Sequence, residues 1–335
     1  MTQELNILLT CIGRRVALLQ EFRRAMADLG LKGRLIGTDT SALAPGFHVA
    51  DEGLPVPEVS DPRYVDVLLE ICRTRHIGMV VPQIDWELPV LAAARERFAA
   101  IGTHMIVSSP RVVNIGRDKL ETYKFLTKNG FDTPRILSYT QALKGPFPLF
   151  IKPRYGSSAK DVHVVEDRRS LVYYHRVCRE SLIQEYVEGI EFTVDVYAGL
   201  DGVAELAVPR QRLEVRGGEV AKAKTVRHPE IINQSLRLVE LLRECIGVVT
   251  LQCFLTPDHK IKFIEMNPRF GGGVPLAIKA GADFPRWLIE EHLGRKADIR
   301  REAWQDGLLM LRYDAAVFRH IRDLPEWGRP EKVTR

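Results

Sequence analysis

The stretch FIEMNPRFGGG, residues 263–273, carries the most informative pattern in this chain. Its first half has the apolar character of a core strand, and a period of two would turn Ile264 and Met266 to one side. Glu265 and Asn267 would then share the opposite face. A covered carboxylate is costly unless it is paired or bound to a cation. Two interpretations stay open on these residues alone: a buried polar network completed by Arg269, or a cation site.

A second strand is predicted in VVTLQCFLTP, residues 248–257, and the sequence PDHK at its end suits a hairpin turn. Pairing of the two strands would bring Gln252 close to Glu265 and Asn267. Carboxylate and amide oxygens suit Mg²⁺ (or Mn²⁺), which keeps several waters and shares its coordination sphere with phosphates. The hairpin therefore predicts a metal site of Glu265 and Asn267, with Gln252 as a further candidate.

Residues 1–110 alternate strands and helices, which predicts an α/β domain with a doubly wound parallel sheet. Asp61 and Pro62 suit the cap and first residue of one of its helices. In such a domain the ligand crevice lies at the carboxyl ends of the strands. Arg14 and Arg15 follow one predicted strand end, and Asp85 and Glu87 follow another. Of these crevice positions, Arg14, Asp85 and Glu87 are selected as candidate substrate contacts.

After Gly130 the pattern changes to strands with few helices between them, which predicts an α+β architecture with antiparallel sheets. Ser109 and Pro110 suit the start of a connecting helix. The predicted division is an N-terminal domain at 1–110, a linker helix and first subdomain at 111–187, a second subdomain with the metal site at 188–318, and a peripheral tail at 319–335.

Bulk properties narrow the class of protein. The net charge of +5 comes from cations scattered among acids, so nucleic acid is not an expected partner, whereas a small anionic ligand is. Five cysteines without a C-x-x-C pair indicate reduced thiols and a cytoplasmic protein. No signal peptide or membrane span is predicted. The turn after the first strand lacks G-x-G-x-x-G, which disfavours NAD.

Two further segments suit a nucleotide, although each alone is more often a plain hairpin or a solvated strand. FIKPRYGSS, residues 150–158, ends a strand at Lys152 and enters a Gly-Ser-Ser turn whose N–H groups could face a phosphate. It does not match the Walker A pattern. In LIQEYVEGIEFTVDV, residues 182–196, the backbone of a strand-to-strand hinge could pair with an adenine edge, and Glu191 could reach ribose hydroxyls.

The order of these features is specific: a lysine, a Gly-Ser turn, a Q-E-x-V hinge, and a glutamine followed by Glu-x-Asn-x-Arg. In this order they resemble the ATP-grasp superfamily. Further segments look like single-module proteins related to the carbamoyl-phosphate synthase large subunit, over nearly the whole chain to about Phe318. These segments are CIGRRVALLQEFR, IGTDTSALAPGFHVAD, VPQIDWELPVLA, VPRQRLEVRGGE and NPRFGGGVPLAIKAGAD.

The resemblance implies ATP and Mg²⁺ as cofactors and gives individual positions a role. The implied roles are phosphate contact for Lys119 and Lys152, a closing loop for Gly156, Ser157 and Ser158, adenine binding for Glu185, Tyr186 and Val187, ribose binding for Glu191, metal binding for Glu265, Asn267 and Gln252, and contact with the reacting centre for Arg269.

The chemistry that the resemblance implies is carboxylate activation, in which ATP forms an acyl phosphate that an amine then attacks. Arg210 and Arg212, two apart on a strand, could clamp a substrate carboxylate. Lys224, with Arg216 and Lys222 nearby, could reach the acyl phosphate as a catalytic cation. For each of these cations alone, a solvent-facing side chain is the more common interpretation.

Three functions stay open. The first is an ATP-dependent carboxylate–amine ligase acting on small molecules, which is favoured because carbamoyl-phosphate synthases carry two ATP-grasp modules and this chain carries one. The second is a carboxylase-like or acyl-phosphate-forming enzyme. The third is an ATP-binding regulatory protein without turnover. The resemblance further implies a possible homodimer, with no membrane partner.

Overall fold

The computed structural model of the protein describes residues 4–156 and 161–324. Ser157 and Ser158 lie outside the described residues, as does the tail beyond residue 324. Within the described ranges the chain forms three sheets. One is parallel and two have antiparallel pairings, which confirms the predicted fold class.

The parallel sheet has five strands in the order β3-β2-β1-β4-β5, so the strand order reverses between β1 and β4. Ligands of doubly wound sheets bind at such a switch point, outside the carboxyl ends of the strands. The strands are β1 (Asn6–Leu9), β2 (Leu35–Asp39), β3 (Glu52–Pro55), β4 (Ile77–Val81) and β5 (His104–Met105), and the helices that flank them are α1 (Val16–Asp28), α2 (Pro45–Val49), α3 (Tyr64–Thr74) and α4 (Leu88–Ala99).

The predicted start of α3 at Asp61 and Pro62 is wrong by two residues. The Asp61 carboxylate accepts from the Arg63 N–H at 2.8 Å, and the Tyr64 N–H donates to the Asp61 carbonyl at 3.0 Å. These bonds form a turn ahead of the helix. Asp61 therefore caps this turn, and the helix begins at Tyr64.

Two helices connect the parallel sheet to a four-stranded sheet of order β6-β9-β7-β8. The first begins as predicted, because Ser109 accepts from the Val112 N–H and Pro110 is the first helical residue. The elements are α5 (Pro110–Arg117), α6 (Lys119–Lys128), β6 (Ile136–Leu137), α7 (Tyr139–Ala142), β7 (Leu149–Pro153), β8 (His163–Val165), α8 (Arg168–Val177) and β9 (Ser181–Glu185).

The third sheet has six strands in the order β14-β13-β10-β11-β12-β15. Its strands are β10 (Ile190–Tyr197), β11 (Leu206–Arg216), β12 (Glu219–Thr225), β13 (Val248–Leu255), β14 (Ile261–Asn267) and β15 (Leu309–Leu311). The accompanying helices are α9 (Pro229–Leu242), α10 (Val274–Lys279) and α11 (Phe284–His292), and a short 3-10 helix spans Ile321–Asp323. The sequence did not predict β12 and β15.

The two faces of the six-stranded sheet have different neighbours. On one face α9 packs against strand residues such as Val194, Leu251 and Cys253. On the side of the N-terminal domain, a second core joins residues of α1, α10 and α11, and Phe22 meets Phe270 edge to face at 5.8 Å. This shared core fixes the parallel sheet beside the segment that follows β14.

The structure describes no helix that is both long and apolar enough to cross a membrane.

Candidate functional site

The β13–β14 hairpin forms, and it brings Gln252 beside Glu265 as predicted. Gln252 pairs with Glu265, and the Asn267 side-chain amide donates to the Glu265 carboxylate at 3.1 Å. A bulge interrupts the pairing next to Gln252, so Phe263 and Met266 are both buried while Ile264 is only half-buried. The prediction that Ile264 and Met266 face one way is therefore wrong, because the bulge changes the phase of the alternation between them. Glu265 and Asn267 nonetheless share a face, as predicted.

Lys152 ends β7 and reaches the bulge from the four-stranded sheet. Its ammonium donates to the Ile264 carbonyl at 3.3 Å, and the residue is only 7% exposed. Burial lowers the pKa of Lys152 to about 8, although the Glu265 carboxylate acts in the opposite direction. A buried ammonium with a single carbonyl partner beside a carboxylate is an incomplete arrangement that a phosphate would complete.

The start of α6 and the end of β7 are fastened together. Asp118 caps α6 through the Leu120 N–H and also accepts from Arg154 Nε at 2.8 Å. The Lys119 ammonium donates to the Gly156 carbonyl at 2.7 Å. Gly156 has a φ of +116°, which L side chains rarely adopt. Lys119 and the beginning of the Gly-Ser turn therefore lie together.

A cleft opens between these elements. Asp85 lies at one part of its wall, Lys119 and Gly156 at another, and Glu265 and Asn267 at a third. The N-terminal domain and both antiparallel sheets thus contribute to one cavity. Its remaining wall residues are Trp86, Leu88, Val113, Gly116, Arg117 and Pro268.

The predicted hinge begins where β9 ends. The Glu185 carboxylate pairs with Lys262 of β14, which ties the four-stranded sheet to the six-stranded one. The Glu185 N–H is already used by the Arg135 carbonyl at 3.0 Å. Tyr186 is exposed and Val187 is half-buried, and both lie past the last residue of the strand. Their main chain is the part of the hinge that suits an extended ligand edge.

Arg212 organises the polar side chains near the hinge. It donates to the Glu191 carboxylate at 2.6 Å and, from the same nitrogen, to the side-chain amide oxygen of Gln252 at 3.0 Å. Burial raises the pKa of Glu191, and Arg212 counteracts this. The oxygen of Gln252 already accepts a hydrogen bond, so Gln252 is a poorer metal ligand in this arrangement than Glu265 or Asn267.

Two predicted cationic contacts need correction. Arg210 and Arg212 share a face as expected, but Arg210 is 1% exposed and forms two bonds to Asp195, at 2.6 and 3.1 Å. It cannot clamp a substrate from solvent because its guanidinium is sealed inside the fold. Between β11 and β12, Arg210 pairs with Thr225, and the next pair along the strands is Gln211 with Lys224. Because cross-strand partners share a face, Lys224 lies on the opposite side of the sheet from Glu265.

The loops of the N-terminal domain bring further charges to the cleft. Arg269 donates to the Asp85 carboxylate at 2.7 Å, which joins the segment after β14 to the segment after β4. Glu87 does not face the crevice. It is fully buried and accepts from Tyr64 Oη at 2.8 Å and the Gln83 N–H at 2.7 Å. The prediction that Glu87 touches substrate is therefore wrong; it holds the loop that carries Asp85.

The two arginines after β1 behave differently. Arg14 is exposed, whereas Arg15 is half-buried and turns toward the segment after β14. A Cβ on Gly272 would lie 2.9 Å from Arg15 Nη1 and 3.6 Å from the Glu219 carboxyl group. Sequence reasoning noted that Arg14 and Arg15 follow a strand end but selected Arg14, because the turn geometry that separates them is not visible in the sequence.

The three glycines after Phe270 are needed for space. None of them has a positive φ. A Cβ on Gly271 would meet Thr250 at 3.0 Å, and one on Gly273 would meet Arg210 Nη1 at 2.3 Å. The backbone after β14 therefore lies directly against the six-stranded sheet and Arg15.

The donor set fits a shared magnesium ion better than a metal site made by protein alone. No group of three or more His, Cys, Asp or Glu side chains that could hold a metal occurs in the described ranges 4–156 and 161–324. Glu265 and Asn267 offer hard oxygens on a cleft that also holds Lys119 and lies beside Lys152. Mg²⁺ commonly takes one or two protein oxygens and completes its shell with phosphates and water.

Two family models match this chain. The PylC-like N-terminal domain matches residues 7–106, and an ATP-grasp domain matches residues 116–273. Together they include the parallel sheet, the four-stranded sheet and the strands β10–β14. The second match ends at Gly273, the last of the three glycines.

Sequence comparison also finds more distantly related proteins of known function. The carbamoyl phosphate synthase large chain of Campylobacter jejuni is 23% identical over 278 residues, which is 76% of this chain and 25% of that protein. The first curated relatives are all much longer, and the chain spans 25–39% of their length.

Solved structures share the fold. Biotin carboxylase from Campylobacter jejuni superposes with a TM-score of 0.72 at 13% identity, over 90% of this chain and 74% of that one. L-amino acid ligase from Bacillus licheniformis gives 0.67 at 19% identity, over 88% and 75%. ATP-grasp enzymes use ATP with Mg²⁺. The chain belongs to the ATP-grasp superfamily.

Proposed function

We propose that this protein is an ATP-dependent carboxylate–amine ligase that forms an amide or peptide bond and releases ADP and phosphate. The observation that carries the proposal is the convergence of Lys119, Glu265 and Asn267 on one cleft, with Lys152 and Arg269 at its edge. These side chains come from separate parts of the chain, and a structural role alone would not require a buried lysine beside them.

In this proposal the nucleotide lies between the two antiparallel sheets. Lys119 and Lys152 contact its phosphates, and Gly156 begins the loop over them. The main chain at Glu185, Tyr186 and Val187 binds adenine, and Glu191, held by Arg212, binds the ribose. Glu265 and Asn267 would hold Mg²⁺, which would neutralise charge on the β- and γ-phosphates.

The chemistry begins when the substrate carboxylate attacks the γ-phosphorus, which gives an acyl phosphate and ADP. The amine then attacks the acyl carbon, loses a proton and expels phosphate. Catalysis of phosphoryl transfer is mainly positioning and charge stabilisation. The buried lysine supplies a fixed positive charge beside the phosphates. Arg269 supplies fixed donors to the acyl phosphate and to the oxyanion that forms when the amine attacks. Asp85 orients the Arg269 guanidinium before the substrate binds.

Mg²⁺-dependent release of ADP and phosphate tests the proposal, with pooled carboxylic acids and amines as substrates. An acid and an amine that together stimulate both products would support the ligase. Label from bicarbonate appearing in the product would instead favour a carboxylase-like reaction. Tight ATP binding with no ADP from any pool would favour a regulatory ATP-binding protein.

The proposal also includes the domain division, the kind of substrate, the cellular location and the oligomeric state predicted from the sequence. The chain is divided at residues 110, 187 and 318, its substrates are small molecules, and it works in the cytoplasm, where it forms a homodimer. Sedimentation of the purified protein at several concentrations tests the dimer.

A further inference from the structure

Arg15 has no side-chain partner among residues 4–156 and 161–324, although it lies in a crowded place. Its guanidinium forms no hydrogen bond or ion pair there, and Nη1 is fully buried. By contrast, the arginines around it are paired: Arg269 with Asp85 at 2.7 Å, and Arg312 with Glu219 at 3.0 Å. Buried guanidinium groups normally find acceptors, since an unpaired one forfeits its hydration.

The surroundings of Arg15 have an excess of positive charge. Burial and the nearby Arg269 lower the pKa of Arg15 to about 10, although Glu219 and Asp85 act in the opposite direction. Since Asp85 and Glu219 already pair with other arginines, neither neutralises Arg15 fully. The exposed Arg14 adds a further positive charge near Glu219. The arginines named here therefore outnumber the two carboxylates, and the cluster has room for an anionic group.

Arg15 lies at the edge of the parallel sheet where doubly wound folds usually bind ligands. Arg15 follows β1 and Asp85 follows β4, so the two lie at the point where the strand order of the parallel sheet reverses. Gly272 leaves room for the guanidinium, because a Cβ there would be only 2.9 Å from its Nη1. The N-terminal domain thereby places a cation against the segment that carries Arg269.

We propose that Arg15 binds the carboxylate of the acid that this enzyme activates, so that the acid lies between Arg15 of the N-terminal domain and Arg269 of the ATP-grasp domain. This inference rests on the proposed ligase function and adds a specificity residue to it. A guanidinium offers paired N–H donors that match the two oxygens of a carboxylate. The anion would supply the acceptors that Arg15 lacks, and a neutral substrate would leave the arginine unpaired.

Acetate is the simplest probe of such a site, and acetamide is its neutral counterpart of similar shape. Sodium acetate is titrated against sodium chloride at equal ionic strength while the melting temperature is recorded. Acetate should stabilise the wild-type protein more than chloride does, and acetamide should not. In Arg15→Gln the affinity for acetate should fall on the order of tenfold to a hundredfold. Arg97→Gln, which changes an exposed arginine of α4, is the matched control and should keep the response.

Two further readouts separate binding from a structural role. Without acetate, Arg15→Gln should melt at the same temperature as the wild type or higher, because it removes an unpaired cation. Arg15→Lys keeps the charge, loses the planar fork and should bind acetate with intermediate affinity. A lower melting temperature for both variants without acetate would overturn the inference, as would an unchanged acetate response in Arg15→Gln or none in the wild type.

ATP affinity is measured on the same samples. If ATP binds equally to wild type and Arg15→Gln but acetate does not discriminate between them, the inference about Arg15 fails and the ligase proposal stands. If the wild type binds no ATP, the ligase proposal itself fails, whatever the acetate result.

Discussion

Asp85 and Arg269 are 184 positions apart in the chain, yet Asp85 Oδ2 lies 2.7 Å from Arg269 Nη2. The pair joins the loop after β4 to the segment after β14, and its side chains are 22% and 12% exposed. Glu87 fixes the same loop through the N–H groups of Gln83 and Ile84. The guanidinium assigned to the reacting centre is therefore oriented by the N-terminal domain before any substrate binds.

Removal of Asp85 should destabilise the protein. Asp85→Ala leaves Arg269 without its carboxylate partner, and we expect the free energy of unfolding to fall by about 2 kcal/mol. Urea denaturation of Asp85→Ala, Arg269→Met and the double variant should give a coupling energy of about 1–2 kcal/mol. Asp66→Ala is the control, because it breaks a pair with Arg97 that is more than half exposed. Its cost should be below about 1 kcal/mol. Equal losses for Asp85→Ala and Asp66→Ala would contradict the orienting role.

The glycines of residues 271–273 should differ in their tolerance of a methyl group. In Gly273→Ala the new Cβ would lie 2.3 Å from Arg210 Nη1, and Arg210 cannot swing aside because Asp195 holds it. We expect a loss of about 1–3 kcal/mol in the free energy of unfolding. Gly271→Ala meets Thr250 at 3.0 Å and should cost less. Thermal and urea denaturation of both variants test this order, and the reverse order would show that the backbone after β14 packs differently.

ATP binding should depend on pH through Lys152. Its pKa of about 8 in the free protein means that the ammonium loses its proton above this pH. Since phosphate binds the protonated form, ATP affinity should fall by up to about tenfold per pH unit above it. Lys152→Met should bind more weakly at neutral pH and lack this slope, whereas Lys128→Met, at an exposed site on α6, should retain it.

The lowered pKa of Lys152 affects folding stability in the opposite direction: ATP affinity should fall as the pH rises, whereas stability should increase. The pKa of Lys152 is lower in the folded chain than its ordinary value of 10.5, so the unfolded state binds more protons between about 8 and 10.5. The contribution of Lys152 to the free energy of unfolding therefore increases with pH across this window. Urea denaturation of wild type and Lys152→Met at both ends of the window checks the sign. A slope shared by both proteins would assign it to other groups.

Much of the fold could be predicted from local patterns. The alternation of strands and helices predicted the parallel sheet, and the hairpin turn predicted that Gln252 lies near Glu265. The bulge at Ile264 could not be predicted, because it depends on how β13 and β14 pair. The strand β12 was missed because small alanines alternate with its lysines and hide the usual apolar face.

The site was harder to predict. The errors concern which side chains pair with each other and which face of the sheet a residue occupies. Arg210 and Arg212 lie on one face as predicted, but their acids Asp195 and Glu191 belong to the neighbouring strand β10. Lys224 was expected to reach the acyl phosphate but lies on the other face of the sheet, because one step of register inverts a strand residue. Glu87 is buried and accepts a hydrogen bond from the hydroxyl of Tyr64, which lies 23 positions away in the sequence. Each outcome depends on a contact between segments that no local pattern contains.

The most direct measurement is calorimetric binding of ATP with and without Mg²⁺, to the wild type and to Glu265→Gln. The wild type should bind ATP more tightly when Mg²⁺ is present. Glu265→Gln should keep the affinity for metal-free ATP and lose most of this enhancement, and Glu240→Gln, on the exposed side of α9, should behave as the wild type. Full Mg²⁺ enhancement in Glu265→Gln would contradict the assignment of the cleft beside β14 as the site of metal-bound ATP.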